Sequence, residues 1–169
     1  MNKKRQGKPS EVSLEFLRTH PLFGGLSDRA LTGVRKLLQT RRYPKGADIV
    51  REGDGGGNLY LIWQGSAEVW KKDPNNSRRA PYRLALLREG DSFGEMELID
   101  AQPAVATVRA REESVILLLN NMDLYRLGKS APKTFTLIIM NLAREISRRL
   151  RVMDGLAAQS FFRKYPPSS

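Results

Sequence analysis

The sequence has no cysteine and a single histidine. The first absence excludes disulfides, thiolate nucleophiles and cysteine-based zinc sites. The second leaves His20 as the lone imidazole. No Ser-His-Asp or Cys-His set can be assembled around it, so neither catalysis nor a metal centre is expected. His20 precedes Pro21 at a helix end, where a capping or surface role is expected. Long apolar runs are also missing. The longest, Val115–Leu119, is far too short to span a bilayer. Met1-Asn2-Lys3-Lys4-Arg5 is followed by no apolar stretch, so no signal peptide is read there. These features fit a cytoplasmic protein with no membrane span. Acidic residues are scarce relative to basic ones: 18 against 29, a net charge of +11.

What is present reads as one globular domain. The chain has 169 residues, 40% hydrophobic and 28% charged, enough for a real core. The basic excess is not spread evenly. Residues 1–40 and 131–169 each carry +5, and residues 41–130 carry only +1. Residues 1–10 read as a mobile basic arm, 11–153 as the folded domain and 154–169 as a short tail whose last residues fray.

A short helix is predicted over 11–19 with Ser10 as N-cap. A second starts at Ser27 and reaches about Leu38, with Leu31, Val34, Leu37 and Leu38 on one face. From Thr40 onward, short apolar stretches alternate with turn residues at roughly ten-residue intervals, the pattern of a small sandwich or barrel. Strands are placed near Asp48–Arg51, Asn58–Trp63, Ser66–Lys71, Tyr82–Leu87, Ala106–Ala110 and Ser114–Leu119. After Asn120 the helical period returns, with a helix at about Met122–Leu127. A longer one follows Pro132 to about Met153, stopped by Gly155.

Several segments, taken in order, resemble one family. They are His20–Leu26, Pro44–Asp54, Leu59–Val69, Gly90–Ile99 and Pro103–Val108. Together they are similar to the cyclic-nucleotide-binding domains of catabolite-activator proteins and protein-kinase regulatory subunits. The resemblance covers about residues 14–153. It implies an α+β, mainly β fold: an antiparallel eight-stranded β-roll of jelly-roll type, flanked by N-terminal helices and a long C-terminal helix. It also implies a ligand cassette formed by Phe93, Gly94, Glu95, Met96, Glu97, Ala104, Val105 and Thr107. In the family, a short helix presents backbone N–H groups to the cyclic phosphate. A carboxylate, here Glu95, takes the ribose hydroxyl, and an arginine after the cassette proline forks onto the phosphate.

That arginine is absent; Ala104 stands in its place. Glu97 replaces a small residue near the phosphate, and Val105 replaces Ala or Ser. Losing one partner of a buried, hydrogen-bonded charge pair costs about 2–5 kcal/mol. At about 1.4 kcal/mol per decade, that is roughly 30- to several-thousand-fold in affinity. Arg109 and Arg111 lie nearby in sequence, but the resemblance runs their strand away from the phosphate.

Two other glycine and carboxylate patterns read as ordinary turns. Gly53–Asn58 fits a hairpin turn better than a phosphate cradle, since it lies between strands. Asp91, Glu95, Glu97 and Asp100 lack cation-binding spacing and read as a solvated turn, Glu95 excepted. In the terminal helix Ile139, Ala143, Ile146, Leu150 and Met153 recur at heptad spacing, a seam that fits a homodimer; packing on its own barrel is the competing reading. Arg144, Arg148, Arg149 and Arg151 read as a solvated face or as phosphate contacts. No recognition helix fits in the residues after Asp154, so sequence-specific DNA reading is not expected.

Three functions stay open. The first is a non-enzymatic regulatory module that has lost its usual cyclic nucleotide and acts on a protein partner. The second is a working cyclic-nucleotide sensor. The third, resting on charge alone, is a non-specific nucleic-acid binder.

Overall fold

The computed structural model describes residues 12–76 and 78–164. The basic arm and the last five residues lie outside them. Three short N-terminal elements come first: α1 (Leu14–Thr19), a 3-10 turn (Pro21–Phe23) and α2 (Asp28–Arg35). Ser13, not Ser10, caps α1, its hydroxyl accepting from the Phe16 amide. Ser27 caps α2 as the sequence implies. His20 caps the 3-10 turn through its side chain but is 5% exposed, so the surface alternative is excluded.

Eight strands follow: β1 (Leu38–Tyr43), β2 (Asp48–Val50), β3 (Leu59–Gln64), β4 (Ser66–Lys71), β5 (Tyr82–Arg88), β6 (Ser92–Phe93), β7 (Thr107–Ala110) and β8 (Ser114–Leu119). Helix α3 (Glu95–Asp100) interrupts them after β6. The strands form two antiparallel four-stranded sheets, ordered β1-β8-β3-β6 and β2-β7-β4-β5. The expected roll of eight strands between terminal helices is therefore present.

Side-chain alternation explains the layering. Leu59, Leu61, Leu117 and Leu119 pack outward against the helices, in one cluster with Leu17, Leu31, Leu142 and Ile138. Tyr60, Ile62, Ile116 and Leu118 face inward, onto Ala67, Val108 and Ala110 of the other sheet. Strand β8 is covered on both faces, which is why it reads as a continuous apolar run. Strand β1 escaped the sequence reading. It carries Arg41 and Arg42, and it exists because Leu38 pairs with Leu119 at the edge of β8. Accordingly α2 stops at Arg35, short of the predicted Leu38.

Helices α4 (Asn121–Ser130) and α5 (Pro132–Lys164) close the chain. The stop expected at Gly155 does not hold: α5 runs on through Asp154 and Gly155, and most of the proposed tail is helical. A glycine inside a helix costs about 1 kcal/mol relative to alanine, which good helix formers on either side outweigh. With 33 residues α5 is about 50 Å long. Its base is pinned by Asn141, whose Nδ2 donates to the carbonyls of Leu22 (3.1 Å) and Gly24 (2.9 Å). No described helix is long and apolar enough to cross a membrane.

Candidate functional site

The site forms where β6 turns into α3 and where the chain returns into β7. Phe93 pairs with Tyr60 across the sheet and stacks on its ring, centroids 4.9 Å apart. Gly94 follows with φ +84°. A Cβ there would lie 2.4 Å from the Asn58 carbonyl oxygen and 2.8 Å from the Tyr60 ring, so only glycine fits. This turn delivers Glu95 to the first position of α3. The Glu95 carboxylate is only 12% exposed and accepts from Arg149 Nη1 of α5 at 2.9 Å. Arg149 Nη2 also donates to the Ser92 carbonyl (2.5 Å), and its Nε meets Glu145 at 3.3 Å. The carboxylate that the resemblance assigns to a ribose is thus engaged by the terminal helix.

Met96 is half-exposed and Glu97 is buried. Burial holds the Glu97 carboxyl above the usual range, opposed by a hydrogen bond from the Gly57 backbone and reinforced by the charges of Asp54, Asp100 and Glu95. Helix α3 ends at Ala101, the one non-glycine residue with positive φ (+55°) among the described residues. A left-handed alanine is strained backbone, costing roughly 1–2 kcal/mol.

The other arm of the site is Pro103–Thr107. Ala104 is 5% exposed, its methyl in the inner core. Its amide donates to the Asp54 carbonyl and its carbonyl accepts from the Gly53 amide, both at 2.8 Å. Val105 is exposed, and its carbonyl accepts from Lys71 Nζ. Lys71 also pairs with Glu52 at 2.7 Å. Thr107 stands apart from the rest. Its hydroxyl accepts from the Glu52 amide, and it lies opposite Trp70 on the outer side of the sheet.

Of the eight predicted residues, Gly94, Glu97 and Ala104 meet one feature directly, and Thr107 lies on the other side of the sheet. That feature is the Gly53–Asn58 connection. It bonds to Ala104, abuts Gly94 and contacts Glu97, so it braces the cassette as well as turning the chain. Arg109 bonds to Asp48 at 2.7 Å, consistent with a strand that leaves the phosphate end. Arg149, Lys71 and Glu52 were missed by the sequence reading. Lys71 carried a signal: it shares the parity of inward-facing Ala67 and Val69. Arg149 lies on the docking face of α5 with Ile138, Leu142 and Glu145, a stripe that the heptad reading passed over.

The predicted seam divides in two. Ile139 and Ile146 are partly buried against the domain's own core. Ala143, Leu150 and Met153 are exposed, as are Val152, Leu156 and Phe161 beyond them.

Residues 40–131 match the family described as cyclic nucleotide-binding domain. The cyclic AMP receptor protein of Thermus thermophilus is 34% identical over 138 residues, covering 82% of this chain and 61% of its own length. The chain thus spans less than two thirds of that relative. A solved cyclic nucleotide-binding domain from Methylobacillus flagellatus superposes with a TM-score of 0.73 at 28% identity, covering 82% of this chain and 76% of its own. The regulatory subunit of a cAMP-independent protein kinase A from Trypanosoma brucei superposes at 0.66 with 25% identity, covering 78% of this chain and 45% of its own. That structure is a mutant bound to cAMP in its A site. It carries a Glu-to-Ala change and, seven and eight positions on, a Thr-to-Arg and a Val-to-Ala change.

Proposed function

The chain belongs to the cyclic nucleotide-binding domain family, and from that premise we propose that it is a non-enzymatic regulatory module whose cassette has lost the usual grip on cyclic AMP and cyclic GMP. Its output passes through α5 to a protein partner. The relatives are a receptor and a kinase regulatory subunit by description, in keeping with a binding rather than a catalytic role.

The observation that carries this reading is the anion's end of the cassette. Ala104 offers a buried methyl where a guanidinium would be needed, and Glu97 adds a buried carboxyl from the short helix α3. The nearby cation, Lys71, is already committed to Glu52 and to the Val105 carbonyl. An incoming phosphate would have to break that pair with no arginine to replace it. The Trypanosoma mutant gives independent support. Its three changed positions have the same spacing as Glu97, Ala104 and Val105 here, and its cAMP-bound form carries Ala, Arg and Ala at them.

Calorimetry with cyclic AMP and cyclic GMP tests the proposal. Wild type is expected to show no binding in the low micromolar range. The triple variant Glu97→Ala, Ala104→Arg, Val105→Ala is expected to gain at least about 30-fold in affinity for cyclic AMP. A low micromolar dissociation constant for wild type overturns the reading and favours the second one, a working sensor, for which the retained Gly94 and Glu95 speak.

The exposed part of the seam supports a homodimer through Ala143, Leu150 and Met153, while Ile139 and Ile146 pack on the domain's own core. Light scattering decides it: a strict monomer at roughly tens of micromolar removes the dimer.

A further inference from the structure

The sheet β2-β7-β4-β5 has a second face, opposite the cassette. Val108 and Ala110 point into the roll, so Thr107 and Arg109 point away from it. Trp70 lies outward too, since Ala67 and Val69 take the inner positions of β4. On this outer side lies a groove of about 460 Å³. Its walls are Trp70 and Thr107, Ala80 and Pro81 from the loop before β5, and charged residues of β2 and its neighbours. The volume falls within the range of about 300–1,000 Å³ usual for small-molecule sites.

The charged wall has a specific arrangement. Asp48 accepts from Arg51 Nε at 3.2 Å and from Arg109 Nε at 2.7 Å, one guanidinium on each oxygen. Each arginine is therefore held by its inner nitrogen. Among the described residues, the terminal nitrogens of both have no hydrogen-bond partner. The nearby carboxylates are engaged elsewhere: Glu52 takes Lys71 Nζ and the Lys72 amide, Asp54 takes the Arg51 amide through one oxygen, and Glu68 beside Arg109 takes Arg83. The Lys72 ammonium also lines the groove, so three basic side chains stand among its three acidic ones. The two arginines offer a visitor planar forks suited to an oxyanion.

The apolar wall has a complementary feature. Trp70 Nε1 is buried and has no partner among the described residues. The indole that lines the groove offers a flat visitor its ring face for stacking, and its in-plane N–H reports on what binds there.

We propose that this groove is a second ligand site, taking a small molecule of mononucleotide size that joins a phosphate or carboxylate to a flat ring. The oxyanion sits on the open ends of Arg51 and Arg109, with the ring against Trp70 and Pro81. The site opens on the outer face of the sheet, away from Glu95, and touches the cassette's surroundings only through Glu52, Asp54 and Thr107.

The test follows the indole N–H resonance of Trp70 by NMR, assigned with Trp70→Phe. The probes are adenosine 5′-monophosphate and 2-naphthoate, for the two anion types, with adenosine and inorganic phosphate as the ring and the anion alone. A saturable shift is expected with at least one of the joined probes, and roughly tenfold weaker binding by either half alone. Arg109→Met is expected to weaken it about tenfold or more, while Glu95→Gln leaves it unchanged. Arg51→Met serves as the second variant if Arg109→Met fails to fold. Absence of a Trp70 shift with both joined probes at about ten millimolar overturns the proposal. So does a response that survives the arginine variants, or one abolished by Glu95→Gln, which would move the ligand into the cassette.

Discussion

The two ends of the cassette lie on either side of the six-residue helix α3 and are held in opposite ways. At the Glu95 end a left-handed turn, a steric demand for glycine and a cross-helix ion pair fix one carboxylate in place. At the Ala104 end the side chain is a buried methyl, and what holds the chain is its backbone, tied to Gly53, Asp54 and Lys71. On the proposed reading, the difference teaches that a cassette can keep its shape without keeping its charge. Shape depends on backbone hydrogen bonds and packing, which Ala104 supplies as well as arginine would. Anion affinity depends on one guanidinium, which it cannot supply.

The comparison can be broken first at Gly94. Gly94→Ala combines positive φ with overlap on Asn58 and Tyr60, so a loss of about 2–5 kcal/mol is expected in chemical denaturation. Gly90→Ala has a similar φ (+86°) but open space around it, and should cost only about 1–2 kcal/mol. Equal losses would show that crowding at the Glu95 end is not what demands glycine.

Acid probes the footing of the same end. His20 lies buried under the base of α5, and burial lowers its pKa to about 4 against the pull of Glu145 and Asp91. The unfolded chain therefore binds the proton first. Stability should be full above about pH 6.5 and fall by of order 3 kcal/mol as the pH drops through the folded value near 4. His20→Gln should flatten that part of the curve in urea titrations at successive pH values; an unchanged slope would assign it to the carboxylates.

Third come the two ion pairs. Glu95–Arg149 is the more buried, so Arg149→Met should cost about 1–2 kcal/mol after discounting for the partly exposed arginine. Lys71–Glu52 is more open, and Lys71→Met should cost at most about 1 kcal/mol. A reversed order in thermal melts would invert the comparison.

The smallest effect is a gain. Glu97 has its carboxyl held above the usual range mainly by burial, so the native state is penalised once that group ionises and is relieved as the pH falls. Glu97→Gln should raise stability at neutral pH by up to about 1 kcal/mol and leave it unchanged in acid. A uniform shift at all pH values would point to packing instead.

Much of this was legible in the sequence, for reasons that differ by element. Strands β3, β4 and β8 announced themselves because their apolar residues follow from being covered on one or both faces. The Phe93–Glu97 turn was legible because its geometry admits few residues. Strand β1 was not, since a charged edge strand exists only by virtue of its partner. The length of α5 was misjudged because a local stop at Gly155 was outweighed by the residues around it. Arg149 was illegible for a deeper reason: its partner Glu95 lies 54 positions away, and no local pattern connects them. The outer groove combines residues from three strands and two loops, each of which reads alone as ordinary surface.

The pinning of α5 has a mechanical consequence. Asn141 fixes the helix to the 3-10 turn and Arg149 clasps it to the cassette. The 15 residues to Lys164 make an arm of about 22 Å beyond that clasp. Pivoting such an arm by about ten degrees at the clasp sweeps its tip through roughly 4 Å, about the width of a side chain. The molecule is in this sense a pointer, with its bearing at Asn141, its catch at Glu95 and its tip among the exposed apolar residues that a partner would read.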